Sequence, residues 1–319
     1  MNLHRLTPME KLRQETHLVS LIQKLSKATA VVPPQCLPLQ FEPYRSSRII
    51  KHSQGGSKVN IQLNGPLSDI RVILFDIYGT LFSSAAGDIG TEGPPLFKCP
   101  EPDSVLTCYE QEAAYFRKAV LERHLTAYAV TPYPEVRVEE IWEAYQDKPE
   151  NLSGAEYALR YELEHNPVTP MPGALNCIRT LLEKGFELGI VSNAQFYTPL
   201  LFKAFWGADP IELGFTEAFI AYSYIHGRAK PDPELFKIVL DEVRSKGYQV
   251  DECLYVGNDM LNDVFGAKNV GMRAALFAGD KKSLRLREDN PLCKDLLPDL
   301  VIDSLTDLPH CVAKGPNYG

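Results

Sequence analysis

The sequence predicts an α/β protein: a doubly wound parallel sheet with a helical domain inserted near its start. Three observations carry that prediction. Residues 70–75 (Ile-Arg-Val-Ile-Leu-Phe) are a nearly continuous apolar, β-favouring run, the pattern of a strand buried on both faces. From residue 171 onward such runs alternate with amphipathic stretches of about 10–15 residues, the spacing of right-handed β-α-β crossovers. Between residues 103 and 166 no strand pattern occurs, and the periodicity is helical.

Composition narrows the function classes. The chain has 319 residues, 45% hydrophobic and 23% charged, the balance of an ordinary globular protein with two domains or one core and a large insertion. A net charge of −8 and a pI near 5.5 disfavour a nucleic-acid or anionic-membrane surface. No apolar run approaches the roughly 20 residues of a membrane helix. Residues 1–26 interleave Lys, Arg and Glu with apolar positions and lack the uninterrupted core of a secretory signal. Seven cysteines (Cys36, Cys99, Cys108, Cys177, Cys253, Cys293, Cys311) are scattered and form no C-x-x-C pair, which predicts free thiols in a reducing cytoplasm.

Taken in order, residues 8–27 place Leu12, Leu18, Val19, Leu21, Ile22 and Leu25 on one helical stripe. Such a helix either covers an edge of the main domain or serves as a docking face, which leaves a homodimer open. Residues 30–69, rich in Pro, Ser and Gly, read as a linker, with a short strand at Val59, Ile61 and Leu63. After the strand at 70–75, small and turn-forming residues over 83–102 predict a mobile loop. Helices follow over 104–128, 138–146 and 153–165, punctuated by Pro132, Pro134 and Pro149. The alternating region then gives helices over 174–184, 200–205, 233–246 and 263–270. It gives strands over 186–191, 218–221, 253–256, 274–277 and 300–302. The domain plan is an extension over 1–69, a core of 70–82 and 167–319, and a helical insertion over 83–166.

Four of the strand ends carry polar residues: Asp76 and Thr80; Ser192 and Asn193; Lys230, within Arg228-Ala229-Lys230-Pro231-Asp232-Pro233; and Asp259 with Asp263. In a parallel sheet these ends share one edge, where open α/β sheets bind ligands. An Asp and a Gly at a strand end equally suit a loop cap, and Asp259 and Asp263 equally suit a helix amino terminus. Together, however, the groups match a specific chemistry. One carboxylate can attack phosphorus or an alkyl carbon, a hydroxyl and an amide can hold the transferred group, and a Lys can balance charge. Paired carboxylates suit Mg²⁺, which takes one or two protein acids and keeps several waters.

These four segments, in this order, resemble the four motifs of the haloacid dehalogenase-like hydrolase superfamily, over residues 70 to about 308. Residues 83–166 resemble its helical cap. The resemblance implies a phosphate-ester hydrolase acting on a small molecule with Mg²⁺ as cofactor. It makes Asp76 the nucleophile and gives Lys230 the task of orienting and neutralising. Ser192 and Asn193 would bind the substrate phosphoryl group, with Thr80 in a supporting place. Asp76, the main-chain carbonyl of Tyr78, Asp259 and Asp263 would hold the metal.

Two departures bear on that reading. Phosphatases of the superfamily usually carry a second Asp, as general acid and base, where this chain has Tyr78. A tyrosine with a pKa near 10 can donate a proton but is a poor base at neutral pH. The pattern Asp-x-Tyr-Gly-Thr-Leu-Phe is similar instead to metal-independent 2-haloacid dehalogenases, whereas Asp259 and Asp263, four residues apart, point to a cation. The first metal ligand of the fourth motif is either Asn258 or Asp259, and charge favours Asp259. The expectation is a cytoplasmic Mg²⁺-dependent phosphatase working through an aspartyl-phosphate at Asp76. Its rivals are a haloacid dehalogenase and a catalytically weak binding protein.

Overall fold

The computed structural model describes residues 7–30, 66–84 and 109–315. The short strand expected at Val59, Ile61 and Leu63, and most of the loop expected over 83–102, lie outside the described residues.

The chain begins with α1 (Pro8–Ala30), then β1 (Leu67–Ile70), β2 (Val72–Phe75) and β3 (Phe82–Ser84). The insertion supplies α2 (Tyr109–Ala127), α3 (Val138–Glu143) and α4 (Gly154–His165), and the chain returns through β4 (Val168–Pro170). Next come α5 (Ala174–Glu183), β5 (Glu187–Ser192), α6 (Thr198–Trp206), β6 (Ile220–Tyr222), α7 (Ser223–His226) and α8 (Pro233–Ser245). Last are β7 (Cys253–Gly257), α9 (Gly266–Asn269), β8 (Arg273–Phe277), β9 (Leu300–Ile302), α10 (Leu308–Cys311) and β10 (Val312–Lys314).

Six strands form one parallel sheet in the order β6-β5-β2-β7-β8-β9, with β2 flanked by β5 and β7. All four residues of β2 are buried because both sheet faces are covered. Ile73, Phe75, Ile190 and Val256 face one apolar cluster, which includes α5 and α6. Val72, Leu74 and Tyr255 face the other, which includes Phe236, Val239 and Leu240 of α8. The doubly wound prediction holds on this sheet.

Outside it lie two short ladders that periodicity did not announce, β3 antiparallel to β4 and β1 parallel to β10. β3, β4 and β10 have only three residues each, too few to show a period. The predicted strand 70–75 is interrupted at Arg71: Ile70 ends β1, and β2 starts at Val72. The predicted helix at 263–270 is a π-helical turn over Met260–Phe265 followed by α9.

The aromatic residues of the insertion gather around one tryptophan and join the apolar cluster on the α5–α6 face of the sheet. Trp142 is buried among Tyr115, Phe116, Tyr145, Tyr157 and Tyr161, with ring centroids 4.6–5.9 Å away. A reciprocal cap between Ser153 and Glu156 starts α4. Helix α1 lies on α6 and α4, with Leu18, Leu21 and Ile22 buried and His17 Nε2 2.7 Å from Glu156. The stripe from Leu18 onward therefore covers the chain's own surface, while Leu12 stays exposed.

Candidate active site

The polar ends of β2, β5 and β7 and the loop before α8 meet at one sheet edge. Asp76 follows β2 directly, and its backbone N–H donates to Val256 at 2.9 Å. The chain then turns through Gly79 at φ +81°, where a Cβ would stand 2.6 Å from Asn258 Nδ2. Only glycine meets both the left-handed backbone and that contact.

Lys230 is the hub. Its ammonium lies 2.7 Å from Asp76 Oδ1 and 2.6 Å from Asp263 Oδ1, and it donates to the Tyr255 hydroxyl at 2.9 Å. These three contacts match the three N–H groups of an ammonium. Tyr255 in turn donates to the Val191 carbonyl at 2.6 Å. The Lys230 backbone N–H donates to Asn193 Oδ1 at 2.7 Å, and the Lys230–Pro231 peptide is cis. Ser192, the last residue of β5, donates to Asp76 Oδ1 at 2.8 Å. Lys230 and Ser192 thus share one carboxylate oxygen, and the Ile77 backbone N–H also donates to the carboxylate.

The fourth segment closes the group. Asp263 Oδ2 accepts from the Asp259 N–H at 2.9 Å, and its carboxyl carbon lies 2.3 Å from where a Cβ on Gly257 would be. Asp259 Oδ1 accepts from Leu261 N at 2.8 Å and Asn262 N at 3.1 Å, and its Oδ2 takes Arg287 Nη2 at 2.6 Å. Asn258 Oδ1 accepts from Thr80 at 3.1 Å, and its Nδ2 donates to the Ser283 carbonyl at 2.6 Å. Thr80, wholly buried, therefore braces the fourth segment from below.

The Tyr78 hydroxyl is directed to Thr198 Oγ1, 2.9 Å away at the start of α6. Burial lifts that phenol well above its ordinary range, with the Thr198 contact opposing. Burial raises Asp76 too, with Lys230 and Ser192 pulling it back. Asp263 is pushed up to about 7 by burial, with Lys230 opposing and Asp76 and Asp259 adding to the lift. Burial works against the Lys230 ammonium, yet Asp263 and Asp76 outweigh it and hold the amine above its usual range.

A cavity of about 10 Å³, room for one water, is bounded by Asp76, Tyr78, Asn193, Lys230, Asn258, Asp259, Asn262 and Asp263. Of the residues the sequence singled out, Ser192 and Thr80 stand behind this wall and the rest line it. Asn262, Tyr255 and Arg287 were missed. Asn262 carried a readable signal, three residues after Asp259 at a helix start. Arg287 had none, being 28 residues from its partner Asp259.

Three carboxylates here face two cations, Lys230 against Asp76 and Asp263 and Arg287 against Asp259, and every potential ligand atom is a hard oxygen or an amide. That charge excess and donor chemistry suit Mg²⁺, which needs only one or two protein carboxylates beside waters and phosphate. Among the described residues, no three Asp, Glu, His or Cys side chains are grouped as a complete metal cage. Asp76 and Asp263 share the Lys230 ammonium, whereas Asp259 is engaged by Arg287.

The insertion is tied to the same edge. Thr131 donates to Asp232 at 2.6 Å, Ala229 N to the Tyr133 carbonyl at 2.7 Å, and Ser223 to Glu135 at 2.7 Å.

A profile of the haloacid dehalogenase-like hydrolases matches residues 70–271, and the chain belongs to that family of hydrolases. It is 33% identical over 109 residues to a glyceraldehyde 3-phosphate phosphatase of Pyrococcus abyssi, covering 34% of this chain and 42% of that one. It is 29% identical over 167 residues to a phosphoglycolate phosphatase of Pseudomonas fluorescens, covering 50% and 55%. The chain thus spans about half the length of these two curated relatives. A 5-amino-6-(5-phospho-D-ribitylamino)uracil phosphatase of Escherichia coli is 25% identical over 246 residues, covering 76% of this chain and 96% of its own length.

Proposed function

We propose that this protein hydrolyses a phosphate monoester of a small metabolite through a covalent phosphoryl group on Asp76. The observation that carries the reading is the clamp on Asp76: Lys230 and Ser192 hold Oδ1 at 2.7 and 2.8 Å, fixing the carboxylate at the wall of the small polar cavity. Attack of the Asp76 carboxylate on phosphorus forms the aspartyl-phosphate and breaks the bond to the leaving alkoxide, which takes its proton from water. Water then attacks the same phosphorus, releasing inorganic phosphate and restoring the carboxylate.

Lys230 screens nucleophile and phosphate from one another throughout, and Asn193, fixed by the Lys230 backbone, lies on the wall the phosphate would meet. Asp76, Asp263 and the Tyr78 carbonyl would hold Mg²⁺, which would offset the charge of the phosphoryl oxygens. The Tyr78 hydroxyl, committed to Thr198, is not aimed at a leaving group, so the reading favours esters whose alcohol needs little protonation. The relatives named as phosphatases support this reading, and the free thiols of Cys177, Cys253, Cys293 and Cys311 fit a cytoplasmic site of action. No helix among the described residues is long and apolar enough to cross a membrane.

The test is release of phosphate from an aryl phosphate with and without Mg²⁺, beside halide release from 2-chloropropionate. Mg²⁺-dependent phosphate release that Asp76→Asn abolishes is the expected result. Halide release indifferent to a chelator would instead establish dehalogenation, the second reading, which Tyr78 at the position of the second acid favours.

A further inference from the structure

The residue that stands out beside the site is Arg287. It reaches Asp259 through a forked contact, with Nε 3.0 Å and Nη2 2.6 Å from Oδ2, and Nε 3.2 Å from Oδ1. A carboxylate offers about four lone-pair positions. On Asp259, Oδ1 serves two backbone N–H groups as well as Nε, and Oδ2 serves two N–H groups of the guanidinium. An entering cation can use Asp259 only after Arg287 lets go.

The contact is built, not incidental. Residues 283–287 run alongside the turn that bears Asn258 and Asp259: Arg285 N donates to the Asn258 carbonyl at 3.0 Å, and Met260 N to the Arg285 carbonyl at 2.8 Å. The Ser283 carbonyl takes the Asn258 amide. The strap that delivers Arg287 is thus hydrogen-bonded to the turn it neutralises. Arg287 itself has φ +53°, a left-handed backbone that is unfavourable for a side chain of this kind and is held by its surroundings. Arg287 also lines an open outer depression of about 750 Å³, whose charged walls are Lys281, Glu288 and Asp289; the two carboxylates there are the counter-charges a displaced guanidinium would meet.

We propose that Arg287 sets the strength of cation binding at this site. Docked on Asp259, it withdraws the third carboxylate and leaves a site of two; displaced into the outer depression, it frees all three. This rests on the reading that the site takes a divalent cation. Affinity in oxygen-ligand sites follows the number of charged ligands, so the two states differ in how tightly they hold the ion.

The experiment is calorimetric titration of MgCl₂ into the full chain, without substrate, for the wild type, Arg287→Gln, and Arg287→Gln with Asp259→Asn. Arg287→Gln is expected to bind Mg²⁺ about tenfold more tightly or better, and the double variant to return to the wild-type value. Equal or weaker binding by Arg287→Gln, with an intact melting curve, overturns the proposal, as does a double variant that keeps the gain. Should Arg287→Gln fail to fold, Arg287→Lys keeps the charge and loses the fork; a smaller tightening is expected, and unchanged affinity overturns the proposal. Absence of Mg²⁺ binding in every protein, wild type included, would instead overturn the cation reading itself and take this inference with it.

Discussion

Lys230 joins two carboxylates that would otherwise face each other in a buried site. Its side chain is 2% exposed, and Asp76 and Asp263 both lie within 2.7 Å of its nitrogen. Removing one partner of such a group leaves uncompensated charge in a poor dielectric. Lys230→Met is expected to abolish turnover and to lower stability by about 3–5 kcal/mol, read by urea unfolding at neutral pH. Full stability in that variant would mean the carboxylates find another counter-charge. Asp76, Asn193 and Asp259 were legible in the sequence because each lies just past a buried strand, where apolar pattern gives way to polarity; Lys230, expected at a strand end, stands instead in the loop between α7 and α8, eight residues after β6. The direction of the Tyr78 hydroxyl was not legible, since Thr198 meets it only after β5 and α6 are in place. Arg287 lies in a stretch without period or motif, so nothing local marked its contact with Asp259.

Among the elements, the helices of the insertion were the most readable and their charges the least. The predicted spans at 138–146 and 153–165 contain α3 and α4, because the Ser153 cap and the aromatic periodicity are local signals. β3 and β4 are defined by one another, not by any pattern of their own. On α4, burial pushes Glu164 up to about 7, with Glu112 across the helix pair adding to the lift and Arg160 opposing it. One of its oxygens is buried with no hydrogen-bond partner. Because the folded carboxyl holds its proton more tightly than the unfolded one, stability falls as pH rises from about 4.5 to about 7 and stays lowered above that. Glu164→Gln is therefore expected to raise the melting temperature at pH 8 and to leave it nearly unchanged at pH 4. An equal rise at both values would assign the gain to packing instead of charge.

Over the whole molecule, α1 belongs to the folded body. Ile22 is fully buried, and α1 lies on both α6 of the core and α4 of the insertion. Ile22→Ala is expected to cost about 2–5 kcal/mol in a denaturant titration, the usual range for emptying a packed site. A cost near zero would show that the helix detaches without consequence. The apolar stripe was plain in the sequence; the surface it covers was not, because α4 and α6 are both distant along the chain.

The sheet order carries one further consequence. β2, the central strand, is the first of the six to be synthesised, and residues 76–186 must emerge before β5 can pair with it. The other edge waits longer still, until β7 at 253–257. At about 5–20 residues per second, the interval on the ribosome lasts from several seconds to tens of seconds. Throughout it, the bare Val-Ile-Leu-Phe segment that later positions the nucleophile is a short, uncharged, β-prone stretch with both edges open. The strand that anchors the chemistry is thus also the one that a nascent-chain chaperone has most reason to shield.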